Sequence, residues 1–169
     1  YLGASNSDGA SGVATDGAGN VYVAGCTFSR DWVSDGWTSG PWQHQIVFAV
    51  KLSSVGEYLW SICFGGSASD IADGVATDAV GNVYVAGLTL SPGWVSGGWE
   101  TTLGKQDGFL VKLSATGAHL WSSYLGSVGY DGTLGPGMPY SVATDAAGNV
   151  YVAGTTNSSG WVSGGWDAI

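Results

Sequence analysis

Val13-Ala14-Thr15-Asp16-Gly17-Ala18-Gly19-Asn20-Val21-Tyr22-Val23-Ala24-Gly25 recurs as the stretch from Val75 to Gly87 and again from Val142 to Gly154. Asp16, Asn20 and Tyr22 reappear as Asp78, Asn82 and Tyr84, then as Asp145, Asn149 and Tyr151. A phrase written three times in one chain identifies a repeat architecture, in which each unit buries its apolar face against the next. The copies are spaced about 61–67 residues apart, room for several short strands per unit.

Other phrases recur in fixed order around this one. Phe48-Ala-Val-Lys51-Leu-Ser53 and Gly56-Glu-Tyr-Leu-Trp60 return as Phe109-Leu-Val-Lys112-Leu-Ser114 and Gly117-Ala-His119-Leu-Trp121. An aromatic phrase runs Asp31-Trp32-Val-Ser-Asp-Gly-Trp37, Gly93-Trp94-Val-Ser-Gly-Gly-Trp99 and Gly160-Trp161-Val-Ser-Gly-Gly-Trp166. A short one, Tyr1-Leu2-Gly3, Phe64-Gly65-Gly66 and Tyr124-Leu125-Gly126, leads to Asp8, Asp70 and Asp131 in a Gly/Ser-rich turn.

Each unit reads as a four-stranded antiparallel meander. The first strand is Gly-Val-Ala-Thr-Asp, and after a turn such as Ala146-Ala147-Gly148-Asn149 comes Val-Tyr-Val-Ala-Gly. That second strand lacks a polar face, so it is expected to be covered on both sides. The third, residues 109–113, alternates only in part, and the fourth covers residues 119–125 after a turn through Thr116-Gly117. Four-stranded units stacked between similar neighbours are β-propeller blades. In these phrases and their order the chain resembles the bacterial β-propeller repeat family SBBP over nearly its whole length, and its Asp-x-x-Gly-Asn hairpin is more distantly similar to that of NHL-type propellers. The expectation is an all-β array over residues 1–169, with units at about 1–62, 63–123 and 124–169 and about two and two-thirds repeats. Two departures from the pattern stand out. The aromatic phrase lengthens the link between second and third strands, and the third unit reaches Asp167-Ala168-Ile169 where its third strand would begin.

Composition narrows the partners. Thirty glycines and nine tryptophans suit tight hairpins packed through large aromatic wedges. Four Lys or Arg against thirteen Asp or Glu, a net charge of -9, argue against binding nucleic acid or an anionic membrane surface. The sequence has no apolar run long enough for a membrane-spanning helix. A surface rich in Ser, Thr, Gly and aromatics fits an extracellular or cell-surface setting, which the family resemblance also implies. Since closed propellers need at least four blades, the open faces of this array call for further blades, supplied either by a longer chain of which these residues are a segment or by identical subunits that form a ring or a filament.

Candidate sites divide into structural and functional readings. The Asp16, Asp78 and Asp145 turns lack the ligand set of a calcium loop and read as turns in which Asp and Asn bond to nearby amides. Asp8, Asp70 and Asp131 would form a crown of carboxylates in a ring, able to hold a cation; the competing reading is an Asx turn that caps each Gly/Ser loop. No metal is assigned and no cofactor is expected. Trp60 and Trp121 are expected in the core between units, whereas Trp32, Trp37, Trp94, Trp99, Trp161 and Trp166 flank Gly/Ser-rich loops. Paired loop tryptophans suit the stacking of sugar rings, or else stacking within the hairpin and between subunits. Trp42, in the irregular loop before Phe48, supports neither.

Catalysis has little footing. His44 and His119 occupy non-equivalent positions and read as surface residues, and Gly104-Lys105-Gln106 is a chance echo of a phosphate loop. Lys51 and Lys112 are expected to run along the sheet surface to water. No repeated set of nucleophile and base appears, so no enzymatic activity is expected. Cys26 and Cys63 do not recur; a disulfide and two separate apolar thiols are both open. The stretch Gly132–Pro139, with Pro136 and Pro139, is an insertion peculiar to the third unit.

Overall fold

The computed structural model describes residues 2–29, 31–33, 36–38, 43–131 and 140–160, with Trp37 and Thr38 described as backbone only. Among them there is no helix. The first sheet holds β1 (Asp8–Thr15), β2 (Val21–Thr27), β3 (Gly36–Thr38), β4 (Ile46–Leu52) and β5 (Tyr58–Gly65) in the order β1-β2-β4-β5-β3. The second holds β6 (Asp70–Thr77), β7 (Val83–Thr89), β8 (Asp107–Leu113) and β9 (His119–Leu125) in chain order. The third pairs β10 (Ser141–Thr144) with β11 (Val150–Ala153). Every main pairing is antiparallel, as a meander requires, except that β3 runs parallel to β5.

The hairpin between the first two strands of each unit follows from its sequence. Asp16 N–H donates to Asn20 O, and Gly19 N–H returns to Asp16 O; Asp78 with Asn82 and Asp145 with Asn149 repeat both bonds. Gly19, Gly81 and Gly148 sit at φ of 79°, 84° and 83°, in the left-handed region that glycine enters without a Cβ clash.

Strands β1 and β6 begin earlier than the sequence predicts. Asp8 and Asp70 are not in the turn but open the strands, opposite Thr27 and Thr89. The register shifts between Ala10 and Gly12, and between Ala72 and Gly74, so Ser11 and Asp73 are the extra residues of a bulge. In β1 the bulge carries pairing through a Gly/Ser stretch, Gly9 to Gly12, that resembles a turn locally. The short aromatic phrase also slips by one residue: Phe48 pairs with Cys63 and Phe109 with Tyr124, which aligns Cys63-Phe64-Gly65, rather than Phe64-Gly65-Gly66, with Tyr124-Leu125-Gly126.

Neighbouring sheets meet face to face and are tied along their first strands. Ser11 Oγ donates to Ala72 O at 2.5 Å, Thr77 Oγ1 to Thr15 O at 2.9 Å and Thr144 Oγ1 to Thr77 O at 2.7 Å. Between the first and second sheets lies the main core, with Phe64, Trp94, Phe109 and Tyr124 buried. Between the second and third, Tyr84, Leu88, Leu110 and Tyr140 are joined by Val142 and Val152. β7 is buried along its full length, as the absence of a polar face predicts.

Candidate functional site

The loop leading into each first strand is closed by one carboxylate. Asp70 is 0 % exposed; its Oδ2 accepts Gly66 N–H and Ser91 Oγ–H, and its Oδ1 accepts Thr89 Oγ1–H at 2.5 Å. Asp8 repeats this with Ala4 N–H, Ser29 Oγ and Thr27 Oγ1, and Asp131 with Ser127 N–H, Ser158 Oγ and Thr156 Oγ1. Each Asp thereby fastens its loop to the end of the next strand. Burial alone would raise the Asp8 and Asp131 carboxyls, but these donors outweigh it and hold both below the usual carboxylate range. At Asp70 burial wins and the carboxyl is raised. Among the described residues no group of three or more His, Cys, Asp or Glu side chains is placed to hold a metal ion.

The Thr and Ser of these nodes form a Thr-x-Ser phrase, at Thr27, Thr89 and Thr156, that stands in the sequence and is easily overlooked. It also seats the first tryptophan of the aromatic phrase. Trp32 Nε1 donates to Thr27 Oγ1 at 3.2 Å and Trp94 Nε1 to Thr89 Oγ1 at 3.1 Å. Trp94 is therefore not a loop platform. It is 5 % exposed within the core, 5.3 Å from Phe109 and 6.0 Å from Phe64 between ring centroids. Trp32 is half-buried with its ring edge-on to Phe48 at 4.9 Å.

Its partner behaves differently, since Trp99 is 70 % exposed. The excursion between the two tryptophans lies along the outer edge of the sheet. Gly36 pairs in parallel with Cys63, and Gly97 with Ser122. Ser122 N–H donates to Ser96 O, and Tyr124 N–H to Glu100 O. This covers an edge that would otherwise offer unpaired backbone groups. Glycine permits the approach: a Cβ on Gly36 would stand 2.2 Å from Cys63 O, and one on Gly98 2.4 Å from Ser122 O. The Trp37 side chain, Trp161, Trp166, Trp42 and the Gly132–Pro139 insertion lie outside the described residues.

A second repeated node sits at the hairpin. Asp78 Oδ1 accepts Val80 N–H and Asn82 N–H, while Oδ2 accepts Asn82 Nδ2 and Tyr84 Oη. Asp16 makes the same set with Ala18, Asn20 and Tyr22, and its carboxyl is held down to about 2 because those bonds outweigh burial. The lysines complete the node instead of reaching for water. Lys51 is 9 % exposed, 3.8 Å from Asp16 Oδ2 and 4.9 Å from the Tyr22 ring centre; Lys112 is 4.0 Å from Asp78 Oδ2 and 5.0 Å from the Tyr84 ring. A carboxylate and a phenol one strand away attract the ammonium more than the snorkelling expectation allows.

These nodes, strands and ties recur in register over the three units, and the Beta-propeller repeat family SBBP matches at residues 1–28, 59–93 and 120–160. The chain belongs to the SBBP β-propeller repeat family. No curated protein matches it. Its sheets are then blades 1, 2 and 3, and the tied strands β1, β6 and β10 are their innermost strands.

Blades 1 and 2 dock by a specific contact. Trp60 Nε1 and Lys51 Nζ of blade 1 both donate to Ala115 O, in the β8–β9 turn of blade 2, at 3.1 and 3.3 Å. The expected interblade position of Trp60 is thus observed. Trp121 and Lys112 hold the equivalent places on blade 2. There the half-buried Trp121 lines a groove of about 360 Å³ with Trp99, Leu110 and Leu125. Leu125 also lines an adjoining hollow of about 430 Å³ with Tyr140 and Val152.

The remaining polar candidates read as structural in this blade geometry. His119 Nε2 lies 3.0 Å from Ser122 Oγ, but blade 1 places Tyr58 Oη 3.0 Å from Ser61 Oγ in the same positions, and both serines are buried. Cys26 and Cys63 are free thiols. They lie on β2 and β5 with β4 between them, two strand spacings or about 9.5 Å apart, beyond the reach of about 7 Å for a disulfide.

Proposed function

We propose that this chain is a non-enzymatic scaffold module of a secreted or cell-surface bacterial protein, and that its blade 2 face takes up a β8–β9-like turn of the blade that follows it. The observation that supports this reading is the docking contact of blades 1 and 2, whose donor pair recurs on blade 2. Trp60 and Lys51 receive the turn carbonyl of the following blade, and Trp121 and Lys112 present the same pair of donors beside an apolar groove. The occupant is the β8–β9-like turn of blade 3 itself, supplied by the same polypeptide or by an identical subunit that completes the blade. The acidic, lysine-poor surface accords with a partner other than nucleic acid.

Native mass by light scattering, with negative-stain images of the same sample, tests the subunit form of this proposal. A discrete ring or regular filament of 17.1 kDa subunits supports self-assembly; a monodisperse monomer sinks it and leaves blades of a longer polypeptide as the occupant. Replacing Trp121 by Ala separates docking from folding, since loss of assembly with a retained fold is the expected result.

A lectin-like role is favoured by one observation, the 70 % exposure of Trp99 at the rim of that groove. Trp94 belongs to the core, so the platform is reduced to Trp99 and its neighbours. Glycan-array binding that disappears in Trp99→Ala would support this second reading; an empty array with the wild-type chain would end it.

A further inference from the structure

Blades 2 and 3 meet around a carboxyl pair that the junction of blades 1 and 2 lacks. In β4, Ile46 stands opposite Thr27, whereas in β8 the equivalent place opposite Thr89 is Asp107. Asp107 is 0 % exposed; its Oδ2 accepts Gly104 N–H at 2.9 Å, while its buried Oδ1 meets no donor. Asp131 is 0 % exposed as well, but surrounded by donors. Its Oδ1 accepts Thr156 Oγ1 and the N–H groups of Asn157 and Ser158, and its Oδ2 accepts Ser127 N–H and Ser158 Oγ. A Cβ placed on Gly126 would stand 2.5 Å from both Asp107 Oδ1 and Asp131 Oδ2, so these two oxygens lie within about 5 Å of each other.

Two buried carboxylates at this separation are costly when both are charged. Five donors fix Asp131 as the anion. Asp107 has one acceptor bond and a bare oxygen, which is the place for a proton. The other titratable groups facing Asp107 give it no counter-charge: Glu100 is acidic, Tyr124 and Tyr140 are neutral phenols, and Lys105 Nζ lies over the Tyr130 ring at 5.2 Å. We propose that Asp107 and Asp131 share one proton, Asp107 Oδ1–H donating to Asp131 Oδ2, and that this pair makes the blade 2–blade 3 junction a pH-responsive joint, tight in mild acid and loosened when the proton leaves.

The electrostatics agree. Burial pushes the Asp107 carboxyl up to about 6; the Gly104 N–H opposes this, and the charges of Asp131 and Glu100 add to it. A folded-state value above the ordinary 3.8 means that the folded chain holds the proton more tightly than the unfolded one. The stabilisation is complete below about pH 4 and is lost as pH rises through about 6.

The test is Asp107→Asn in the full chain, because the amide keeps the Gly104 bond and donates permanently to Asp131. Urea unfolding of both proteins is followed from pH 4 to 7.5, together with the carboxyl carbon-13 titration of wild-type Asp107. The unfolding constant of the wild type, relative to the variant, is expected to rise by up to about 100-fold across that range, with Asp107 titrating near 6. A constant ratio, or an Asp107 that titrates at 4 or below, overturns the proposal. So does a wild-type chain stabilised at pH 7.5 by added calcium or magnesium while Asp107→Asn is not, since the pair would then hold a cation. If the variant does not fold, the carbon-13 titration of the wild type decides alone.

Discussion

One aspartate per hairpin gathers the turn amides, the Asn side chain and the Tyr hydroxyl of its unit. Asp78 accepts four hydrogen bonds, lies beside Lys112 and is 8 % exposed, so Asp78→Ala strands two backbone amides, the Asn82 amide and the Tyr84 hydroxyl together. Its expected cost is about 2–4 kcal/mol, read by urea unfolding at neutral pH. The carboxyl sits below the ordinary value because those bonds outweigh burial. Its contribution is therefore present above about pH 4 and fades in stronger acid, opposite in sign to that of Asp107. Wild type and Asp78→Ala should converge in stability as pH falls below 4. Cys63 offers an independent check at the same scale: burial, with the Asp8 charge adding, pushes its thiol up to about 12. Iodoacetamide should leave Cys63 unmodified in the folded chain and label it on unfolding, as peptide mass spectrometry would show.

At the scale of elements, the aromatic excursion is an edge guard. It reads as a loop because Gly and Ser dominate it, yet its backbone is hydrogen-bonded to β9. Gly98→Ala drives a Cβ to within 2.4 Å of Ser122 O, so the excursion must lift away. We expect a cost of about 1–3 kcal/mol and faster amide hydrogen exchange at Ser122 and Tyr124, whose N–H groups lose their acceptors. If exchange at those amides is unchanged, the excursion is not what protects the edge. The bulges at Ser11 and Asp73 show the same limit of local reading. Glycine and serine next to an aspartate have the composition of a turn, and only the partner strand decides that pairing continues through them.

For the whole molecule, stability resides in the contacts between blades. Trp94 joins Phe64 of blade 1 to Phe109 and Tyr124 of blade 2. Trp94→Ala should cost about 3–5 kcal/mol, while Trp99→Ala should stay within about 0.5 kcal/mol; calorimetric melting of both variants checks the pair. Equal effects would mean that the two tryptophans share one environment, contrary to their burial.

The repeat alone determined the meander of each unit, the hairpin turns and the SBBP family, because periodic phrases impose the same local backbone in each copy, but not the early start of β1 and β6 or the edge strand β3. Even the Thr-x-Ser partners of Asp8, Asp70 and Asp131 recur, but their meaning depends on contacts 19 to 27 residues away. Tertiary structure alone decided which tryptophan of a pair is core, that Lys51 and Lys112 turn back to an aspartate, and that Cys26 and Cys63 stand two strands apart. It also decided that Asp107, in a place that is apolar in blade 1, comes to face Asp131. Identical phrases share a backbone, but each side chain's surroundings are set by the neighbouring strand and blade, and these differ from one copy to the next.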